Sequence, residues 1–373
     1  MKESLRTWIE INKKACEENY KTFRSLLDPH VKLWSVVKSN AYGHGLFVFS
    51  KIADELGIDG FCVDSLVEGL KLRRVGIKKH ILVLGPTLPN LFGEARKRGI
   101  VVSISNFEGL RALLHSTTPP AFHIKIDTGM HRQGFYINDV PKVVSLIKRN
   151  RKEKHLQGVF THFAAAKDIK HQTYTETQLL GFYQAIKVFE KHGFRHLIKH
   201  CAATGGTLLG KKYHLNAVRV GIGLYGLWPS PELERQLRGT IHLNPILRWR
   251  AVVSEVKKLR KGDSVGYDLT KQVKHPTTMA VLPIGYWHGF PRALSNKGKV
   301  LIRGKEGNVL GRVSMDLLTV DVDGIPCRVG DEVTLIGKDG NRELRANDVA
   351  GQAGTTHYEF LTRLNPLIER IIT

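Results

Sequence analysis

The chain has 373 residues, and 57 lysine and arginine residues against 34 acidic residues give it a formal charge of +23. That length favours two domains, although a single barrel could take up most of it. The charge raises the question of a nucleic-acid partner. However, the basic clusters at 71–79, 148–154 and 257–261 lie far apart and form no single stripe. We interpret them as solvated surfaces and expect no nucleic-acid partner.

The four cysteines, at positions 16, 62, 201 and 327, form no Cys-x-x-Cys pair and no zinc-like spacing with histidine. They are typical of buried thiols in a reducing compartment. The first 20 residues include acidic side chains and no long apolar run, so they resemble neither a signal peptide nor a membrane span. We therefore expect a cytoplasmic protein with no metal and no membrane association.

Short apolar runs recur through the first 236 residues, and amphipathic stretches separate most of them. Two of these stretches, 65–75 and 178–192, have clear helical spacing. Strand–helix alternation repeated eight times predicts a closed (β/α)8 TIM barrel over residues 1–236, with an open doubly wound sheet as the alternative. The eight strands are predicted at 31–38, 60–63, 80–85, 101–106, 121–127, 156–163, 197–202 and 217–222.

A second, β-rich domain is predicted over residues 237–373, where alternating strand patterns and turn residues replace the helical spacing. A helix at 347–363 would close it. Residues 4–11 also alternate as a strand does, and this segment could join the second domain rather than the barrel. The strands of the second domain are predicted at 247–256, 278–284, 299–302, 312–322 and 332–336.

Lys38 stands at the end of the first apolar strand and is followed by a glycine-punctuated turn. Partial burial there would lower the pKa of its amine and free it to form a Schiff base with a carbonyl. Most lysines simply reach water, so the other strand ends must decide between these interpretations. They are unusually polar, and chemistry in a barrel is assembled at the carboxyl ends of the strands. The candidates there are Lys125, Arg132, His162, Thr204, Arg219, Gly221 and Ile222.

Eight motifs occur in order along the chain: VVKSNAYGHG at 36–45, KIDTGMHRQG at 125–134, FTHFA at 160–164, VRVGIGLYG at 218–226, VGYD at 265–268, PIGY at 283–286, GRVSMD at 311–316 and HYE at 357–359. Through them the chain resembles the alanine racemases, pyridoxal-phosphate (PLP) enzymes of fold type III with a barrel and a β-domain. The resemblance implies PLP as cofactor and interconversion of L- and D-alanine for bacterial peptidoglycan. It also implies a homodimer whose subunits share their active sites.

The resemblance assigns opposite faces of the substrate's α-carbon to two bases. Lys38, which would also bind the cofactor as a Schiff base, acts on one face, and Tyr267 of the partner subunit acts on the other. A phenol has an ordinary pKa of about 10 and needs a hydrogen-bond or cationic partner to act as a base near neutrality. His162 and Arg219 are candidates for that role. Arg219 would also donate to the pyridine nitrogen and leave it unprotonated, which favours racemisation over transamination.

The resemblance also implies the remaining contacts. Arg132 would hold the substrate carboxylate or orient the cofactor's phenolic oxygen, and Met315 would contact the substrate carboxylate through its main chain. Lys125 matches a position that is carbamylated in many relatives. The cofactor phosphate would be bound by Tyr42, Thr204, Gly221, Ile222 and Tyr358. The entrance would be lined by Tyr286, Asp316 and Tyr358.

Three positions depart from the family pattern. Ala203 replaces an asparagine beside Thr204, His288 replaces an acid in the Gly-Tyr-x-Asp-Gly motif, and Ser314 replaces a cysteine. The change at His288 would put a titratable, cationic group near the entrance. The alternatives that stay open are a broad-specificity racemase acting on serine, for example, an amino-acid decarboxylase of the same fold class, and a non-catalytic PLP-binding protein.

Overall fold

The structure is a computed structural model that describes residues 4–373, with only the backbone of Ile169. It contains two compact units. The barrel unit comprises Lys14–Ser39 and Phe49–Asn244, and the β-rich unit comprises the chain up to Lys13, Asn40–Val48 and Pro245–Thr373. This division does not test the domain boundary at 236/237, which stays a prediction.

Strands and helices are numbered here in chain order. The strands are β1 Thr7–Ile11, β2 Lys32–Val36, β3 Gly60–Val63, β4 His80–Val83, β5 Val101–Ile104, β6 Phe122–Asp127, β7 Phe135–Tyr136, β8 Leu156–Phe160, β9 Ile198–His200, β10 Ala217–Val220, β11 Leu247–Val252, β12 Glu255–Leu259, β13 Ser264–Val265, β14 Lys271–Gln272, β15 Thr277–Leu282, β16 Lys299–Ile302, β17 Lys305–Val309, β18 Leu318–Asp321, β19 Glu332–Asp339, β20 Arg342–Leu344 and β21 Glu369–Ile372. The helices are α1 Lys13–Ser25, α2 Lys38–Tyr42, α3 Leu46–Glu55, α4 Leu66–Arg74, α5 Phe92–Lys97, α6 Phe107–His115, α7 Val140–Arg149, α8 Gln172–Lys191, α9 Thr204–Leu209, α10 Pro231–Leu237, α11 Ala346–Gln352 and α12 His357–Thr362.

The barrel unit contains a parallel sheet in the order β10-β2-β3-β4-β5-β6-β8-β9. Its two ends meet where Ala203 bridges to Arg219. The Arg219 N–H donates to the Ala202 carbonyl at 3.0 Å, and the Asn216 N–H donates to the Lys199 carbonyl at 3.0 Å. These bonds nearly close the sheet. The eight predicted strands and the TIM-barrel prediction are confirmed, and the open-sheet alternative is wrong.

Some helices of the barrel unit begin at a side-chain cap. At α4, the Ser65 hydroxyl accepts from the Glu68 N–H while the Glu68 carboxylate accepts from the Ser65 N–H. The predicted helix at 65–75 is confirmed. Helix α8 begins at Gln172 rather than at residue 178, because its first turns bury the polar side chains Thr175 and Gln178 and so lack an apolar signal. Among the described residues, no helix is both long and apolar enough to cross a membrane.

The β-rich unit has a sheet in the order β12-β15-β18-β17-β16-β19-β11-β1-β21, as the predicted mostly β second domain requires. Strand β1 pairs antiparallel with β11 and parallel with β21. Within the predicted strand 312–322 only β18 is a strand, because the Ser314 N–H donates to the Leu317 carbonyl at 3.1 Å and closes a turn. The predicted closing helix is two helices, since Gly354 has φ +74° between α11 and α12.

A tight contact inside the barrel gives the first testable prediction. A Cβ on Gly158 would lie 2.5 Å from His123 Cε1 and 2.7 Å from His123 Nδ1, so β8 and the buried imidazole fit only because this residue has no side chain. We expect Gly158→Ala to lower the free energy of unfolding by about 1–3 kcal/mol, as overpacking does. Urea denaturation followed by fluorescence measures it. The control is Gly93→Ala in α5, where the nearest atom is 3.5 Å away; an equal loss in both variants would contradict the prediction.

Candidate active site

Lys38 lies at the carboxyl end of the first barrel strand and is 37% exposed. Its Nζ is 3.6 Å from Asp64 Oδ1. The Glu68 carboxylate, besides capping α4, accepts from the Ser39 N–H at 2.7 Å and from the Asp64 N–H at 2.8 Å. One carboxylate therefore joins the residue after Lys38 to the loop after β3, which fixes the backbone on which the amine stands.

The chain directly after Lys38 is a left-handed turn. Ser39, Asn40, Ala41 and Tyr42 have φ between +53° and +56°, and L-residues pay roughly 1–2 kcal/mol each in this region. The turn places Tyr42 in the β-rich unit with Tyr358, where their ring centroids are 6.1 Å apart. Burial, and then Tyr42, raise the pKa of the Tyr358 phenol. The two tyrosines that the family resemblance assigns to the phosphate are thus brought together, and Tyr358 is a neutral phenol.

Arg219 is a buried cation at the carboxyl end of the barrel, with 2% of its surface exposed. Its Nη2 donates to the Thr161 carbonyl at 2.9 Å, to the Cys201 carbonyl at 3.0 Å and to His162 Nδ1 at 3.3 Å. Its Nη1 donates to His200 Nδ1 at 2.5 Å. Within the described part of the chain, these contacts account for three of the five guanidinium hydrogens, which leaves the Nε–H and one Nη1–H for a ligand.

The contact with Arg219 determines the protonation of two buried histidines. An arginine can only donate, so His200 Nδ1 must accept and its proton lies on Nε2. His200 Nε2 then donates to His123 Nδ1 at 2.9 Å. Burial, and then the charge of Arg219, hold the pKa of His200 well below its ordinary value. Both imidazoles are therefore neutral supports for the guanidinium.

His162 is also neutral. Burial, and then Arg219, lower the pKa of His162 to about 3, and its Nδ1 accepts from Arg219. Of the two roles suggested for a partner of the phenolate, the neutral His162 is therefore limited to that of a hydrogen-bond donor, through its Nε2–H. The main chain here is held by Gln178, whose amide binds the His162 carbonyl at 3.3 Å and the Ala164 N–H at 2.9 Å.

The predicted phosphate contacts of the barrel lie at the start of α9 and just after β10. The Thr204 hydroxyl accepts from the Gly221 N–H at 3.2 Å and from the Gly223 N–H at 3.3 Å. Thr204 and Ile222 are both buried. The structure thus brings the Thr204 hydroxyl and two main-chain N–H groups together. Both N–H groups are bonded to that hydroxyl, whose own O–H can donate to an anion. Gly223 allows this approach, because a Cβ there would lie 2.3 Å from Phe23 Cζ and 2.8 Å from Thr204 Cγ2.

Lys125, in β6, is 6% exposed. Its Nζ donates to Gln133 Oε1 at 3.3 Å. Burial, and then the charges of Arg132 and Arg219, lower the pKa of Lys125 to about 8, against the opposing effect of Asp127. This amine is therefore partly unprotonated near neutrality. Arg132 itself is exposed, so its guanidinium is open to a ligand.

The remaining candidates lie in the β-rich unit on an exposed surface. Tyr267 is 69% exposed in the turn Tyr267–Leu269, and Asp268 in that turn forms an ion pair with Arg312 at 3.2 Å. Met315, Asp316 and Tyr286 are exposed as well, and their segments are joined through main-chain bonds. The Tyr286 N–H donates to the Ser314 carbonyl and the Trp287 N–H to the Met315 carbonyl, both at 3.0 Å.

His288 does not provide the cationic entrance group that its sequence position suggested. Its Nδ1 accepts from the Gly285 N–H at 3.2 Å and so caps the turn Tyr286–His288. Burial lowers the pKa of His288 more than Asp316, at 4.0 Å, raises it. A protonated imidazole could not accept that bond, so the side chain is a neutral structural cap.

Four residues of this region were not found by sequence reasoning: His200, His123, Gln133 and Glu68. The histidines lie in apolar strands and resemble core positions, and only the neighbouring strand ends could have drawn attention to them. Glu68 has a visible signal, because Ser65 precedes it by three residues as in a capping box. Among the residues that the structure describes, no group of three or more histidine, cysteine or acidic side chains could hold a metal ion.

Comparisons with known proteins show the family of the whole chain. Residues 11–229 match the family model "Alanine racemase, N-terminal domain", and residues 246–372 match "Alanine racemase, C-terminal domain". The chain is 36% identical over 384 residues to the alanine racemase of Leptospira interrogans, covering 100% of this chain and 97% of the relative. It is 35% identical over 378 residues to that of Desulforamulus reducens, covering 100% and 99%.

Solved structures give the same result. Alanine racemase from Bacillus anthracis with bound L-Ala-P superposes with a TM-score of 0.92 and 32% identity, covering 99% of this chain and 95% of that one. The enzyme from D-cycloserine-producing Streptomyces lavendulae has a TM-score of 0.90 and 32% identity, covering 99% and 97%. Full-length identity, both family models and the shared fold lead to one conclusion: the chain belongs to the alanine racemase family, whose members are PLP-dependent isomerases.

Proposed function

We propose that this protein interconverts L-alanine and D-alanine with PLP as cofactor, in the bacterial pathway that supplies D-alanine for peptidoglycan. The observation that carries the proposal is a cluster of cations at one end of the barrel. Lys38, Arg132 and Arg219 all act on the pKa of Lys125 and so lie around it. A cofactor phosphate and a substrate carboxylate are both anions, and such a cluster suits them.

The donor set of the chain fits the cofactor. Lys38 offers an amine for its carbonyl group, and the unused N–H groups of Arg219 suit an accepting ring nitrogen. The barrel offers Thr204, Gly221 and Ile222 for its phosphate, and the β-rich unit offers the phenols of Tyr42 and Tyr358, as the family resemblance implies. When bound, PLP supplies the electron sink that makes the α-proton of an amino acid acidic.

Racemisation requires a proton to leave one face of the α-carbon and to return on the other. We propose Lys38 for one face and Tyr267 of the partner subunit for the other, within a homodimer. The exposure of Tyr267 supports a role at a second subunit. It lies in a unit whose other large exposed apolar side chains include Leu269, Trp287 and Met315, and exposed apolar groups of this size are typical of an interface.

The substrate contacts follow the same proposal. Arg132, exposed at the carboxyl end of the barrel, would bind the substrate carboxylate, and the main chain of Met315 would add a further contact. Tyr286, Asp316 and Tyr358 would line the entrance and favour a small side chain. His288 stands where the family pattern has an acid. Because the imidazole is neutral, this difference removes a negative charge near the entrance and adds no positive one.

The first test of this function uses chirality. Purified protein with PLP is incubated with single enantiomers of a panel of amino acids, and optical rotation or chiral chromatography follows them. Alanine should racemise fastest. Faster turnover of serine would indicate a broad-specificity racemase instead. Release of CO₂ would indicate a decarboxylase, and no turnover at all would indicate a non-catalytic PLP-binding protein.

Substitutions of the two proposed bases, Lys38 and Tyr267, form a matched pair of variants. Lys38→Ala should abolish racemisation and the visible absorbance of bound PLP. Tyr267→Phe should keep that absorbance and lower turnover by roughly 10²–10⁴, the usual contribution of a positioned acid or base. Mixing the two inactive variants, with subunit exchange, should restore part of the activity, because one site of the hybrid dimer then has both native residues. Inactive hybrids of proven mixed composition would show that Tyr267 does not come from the partner.

Arg219 is expected to control which reaction occurs. As a permanent cation that only donates, it leaves the ring nitrogen unprotonated, so the substrate carbon regains its proton quickly. Arg219→Glu should raise the amount of pyruvate released per racemisation, and Arg219→Lys serves as the control that keeps a cation. Coupled lactate dehydrogenase measures the pyruvate. Unchanged partitioning in a folded Arg219→Glu variant would contradict this role.

Lys125 should accept CO₂. Carbamylation needs the neutral amine, and a pKa lowered from 10.5 to about 8 means that this form increases as pH rises from 7 to 9. The nitrogen forms a bond to carbon and releases a proton, giving an anion that can pair with Arg132. At constant dissolved ¹³CO₂, ¹³C NMR should show a carbamate signal that increases from pH 7 to pH 9. Lys125→Ala should remove it and Lys148→Ala, at an exposed position, should not.

A further inference from the structure

Arg370, far along the chain from the barrel residues described above, is a second buried arginine held by carbonyl groups. It is 9% exposed. Its Nε and Nη2 donate to the Gly43 carbonyl at 3.3 and 2.9 Å. Its Nη1 donates to the carbonyls of Asn365 and Ile368 at 2.7 and 2.5 Å, and its Nη2 lies 3.5 Å from that of Leu364. Burial lowers the pKa of Arg370 to about 10, which leaves it charged at neutral pH.

The Gly43 carbonyl belongs to the left-handed turn after Lys38, and the other carbonyls follow helix α12. The guanidinium therefore joins two segments that are over 300 residues apart in sequence. Glycines permit the contact. A Cβ on Gly43 would lie 1.9 Å from the Leu361 carbonyl oxygen, and a Cβ on Gly45 would lie 3.2 Å from Arg370 Cγ. Both glycines also have positive φ, +85° and +98°.

His44 completes the support of the turn. Its Nδ1 is 3.0 Å from the carbonyls of Ala41 and Tyr42, and because both partners only accept, Nδ1 carries the proton. Burial, and to a smaller extent the charge of Arg370, lower the pKa of His44 to about 4 against the opposing effect of the two carbonyl bonds, so the ring is neutral. Four consecutive residues in a costly conformation persist only where surrounding contacts over-determine them. Here His44 and Arg370 make those contacts.

The two segments that Arg370 joins each carry one of the tyrosines assigned to the cofactor phosphate. Tyr42 lies in the left-handed turn and Tyr358 in α12. We propose that Arg370 is a positioning residue of the racemase site: it holds the turn against α12 and so fixes the two phenol hydroxyls at the spacing that binds the phosphate. This inference rests on the proposed function, from which it takes the phosphate as the ligand of the two phenols.

The test measures PLP binding rather than turnover. Apoprotein of the wild type, Arg370→Lys and Arg370→Met is titrated with PLP by absorbance, and ³¹P NMR records the bound phosphate. Both variants should bind PLP at least tenfold more weakly and shift the phosphorus resonance, while kcat at saturating PLP changes less than threefold. The control is Arg363→Met, on the same segment, which loses only an exposed ion pair with Glu359 at 2.7 Å.

A double-mutant cycle separates positioning from general stability. If Arg370 acts through the phenols, Arg370→Lys should weaken PLP binding much less when Tyr42 and Tyr358 are already phenylalanine. Additive effects would overturn the proposal. So would a lower melting temperature with unchanged PLP affinity, or failure of both Arg370 variants to fold while Arg363→Met folds. Wild-type protein that binds PLP but racemises no amino acid would contradict the proposed function. The role of Arg370 in PLP binding could still be tested in the same way.

Discussion

The barrel interior depends on the burial of one guanidinium group. A cation taken out of water costs several kcal/mol unless acceptors replace the lost hydration. Arg219 finds none of its partners among carboxylates in the part of the chain that is described; it binds two carbonyls and two imidazoles instead. The carbonyls come from the ends of β8 and β9, and the arginine itself from β10. The site and the closure of the sheet are thus parts of one arrangement.

The uncompensated charge of Arg219 then determines the state of its neighbours. It contributes, after burial, to the lowered pKa of His162, His200 and Lys125. Side chains that would be cations on the surface are neutral or partly neutral here. This gives each a defined use: the histidines accept from the arginine, and the lysine becomes an amine that can react. A carboxylate beside Arg219 would oppose all three effects, which is a physical reason for its supports to be neutral.

Sequence reasoning identified the features that repeat along the chain and the residues that stand out from their neighbours. The eight strands were visible because parallel barrel strands are apolar runs, and Lys38, Lys125 and Arg219 were visible because charge interrupts such runs at their ends. His200 and His123 were missed, since a neutral imidazole within a strand has the pattern of a core residue. A turn after Lys38 was predicted, but its left-handed conformation was not: Ser39–Tyr42 contains no glycine, and the Gly43 carbonyl that follows it is bound by Arg370, a residue that no local window includes.

Arg219 and Arg370 show why arginine rather than lysine suits both positions. Each must satisfy carbonyls that come from different segments, and a planar group with five donors can do so with one charge and little loss of freedom per bond. A lysine ammonium has three donors on a single atom and could not span the Gly43 carbonyl and those of Asn365 and Ile368 together. The cost of burying the charge is therefore offset by many bonds to backbone carbonyl groups. Those bonds also impose geometry, since a fork of fixed shape holds the segments it joins at one distance.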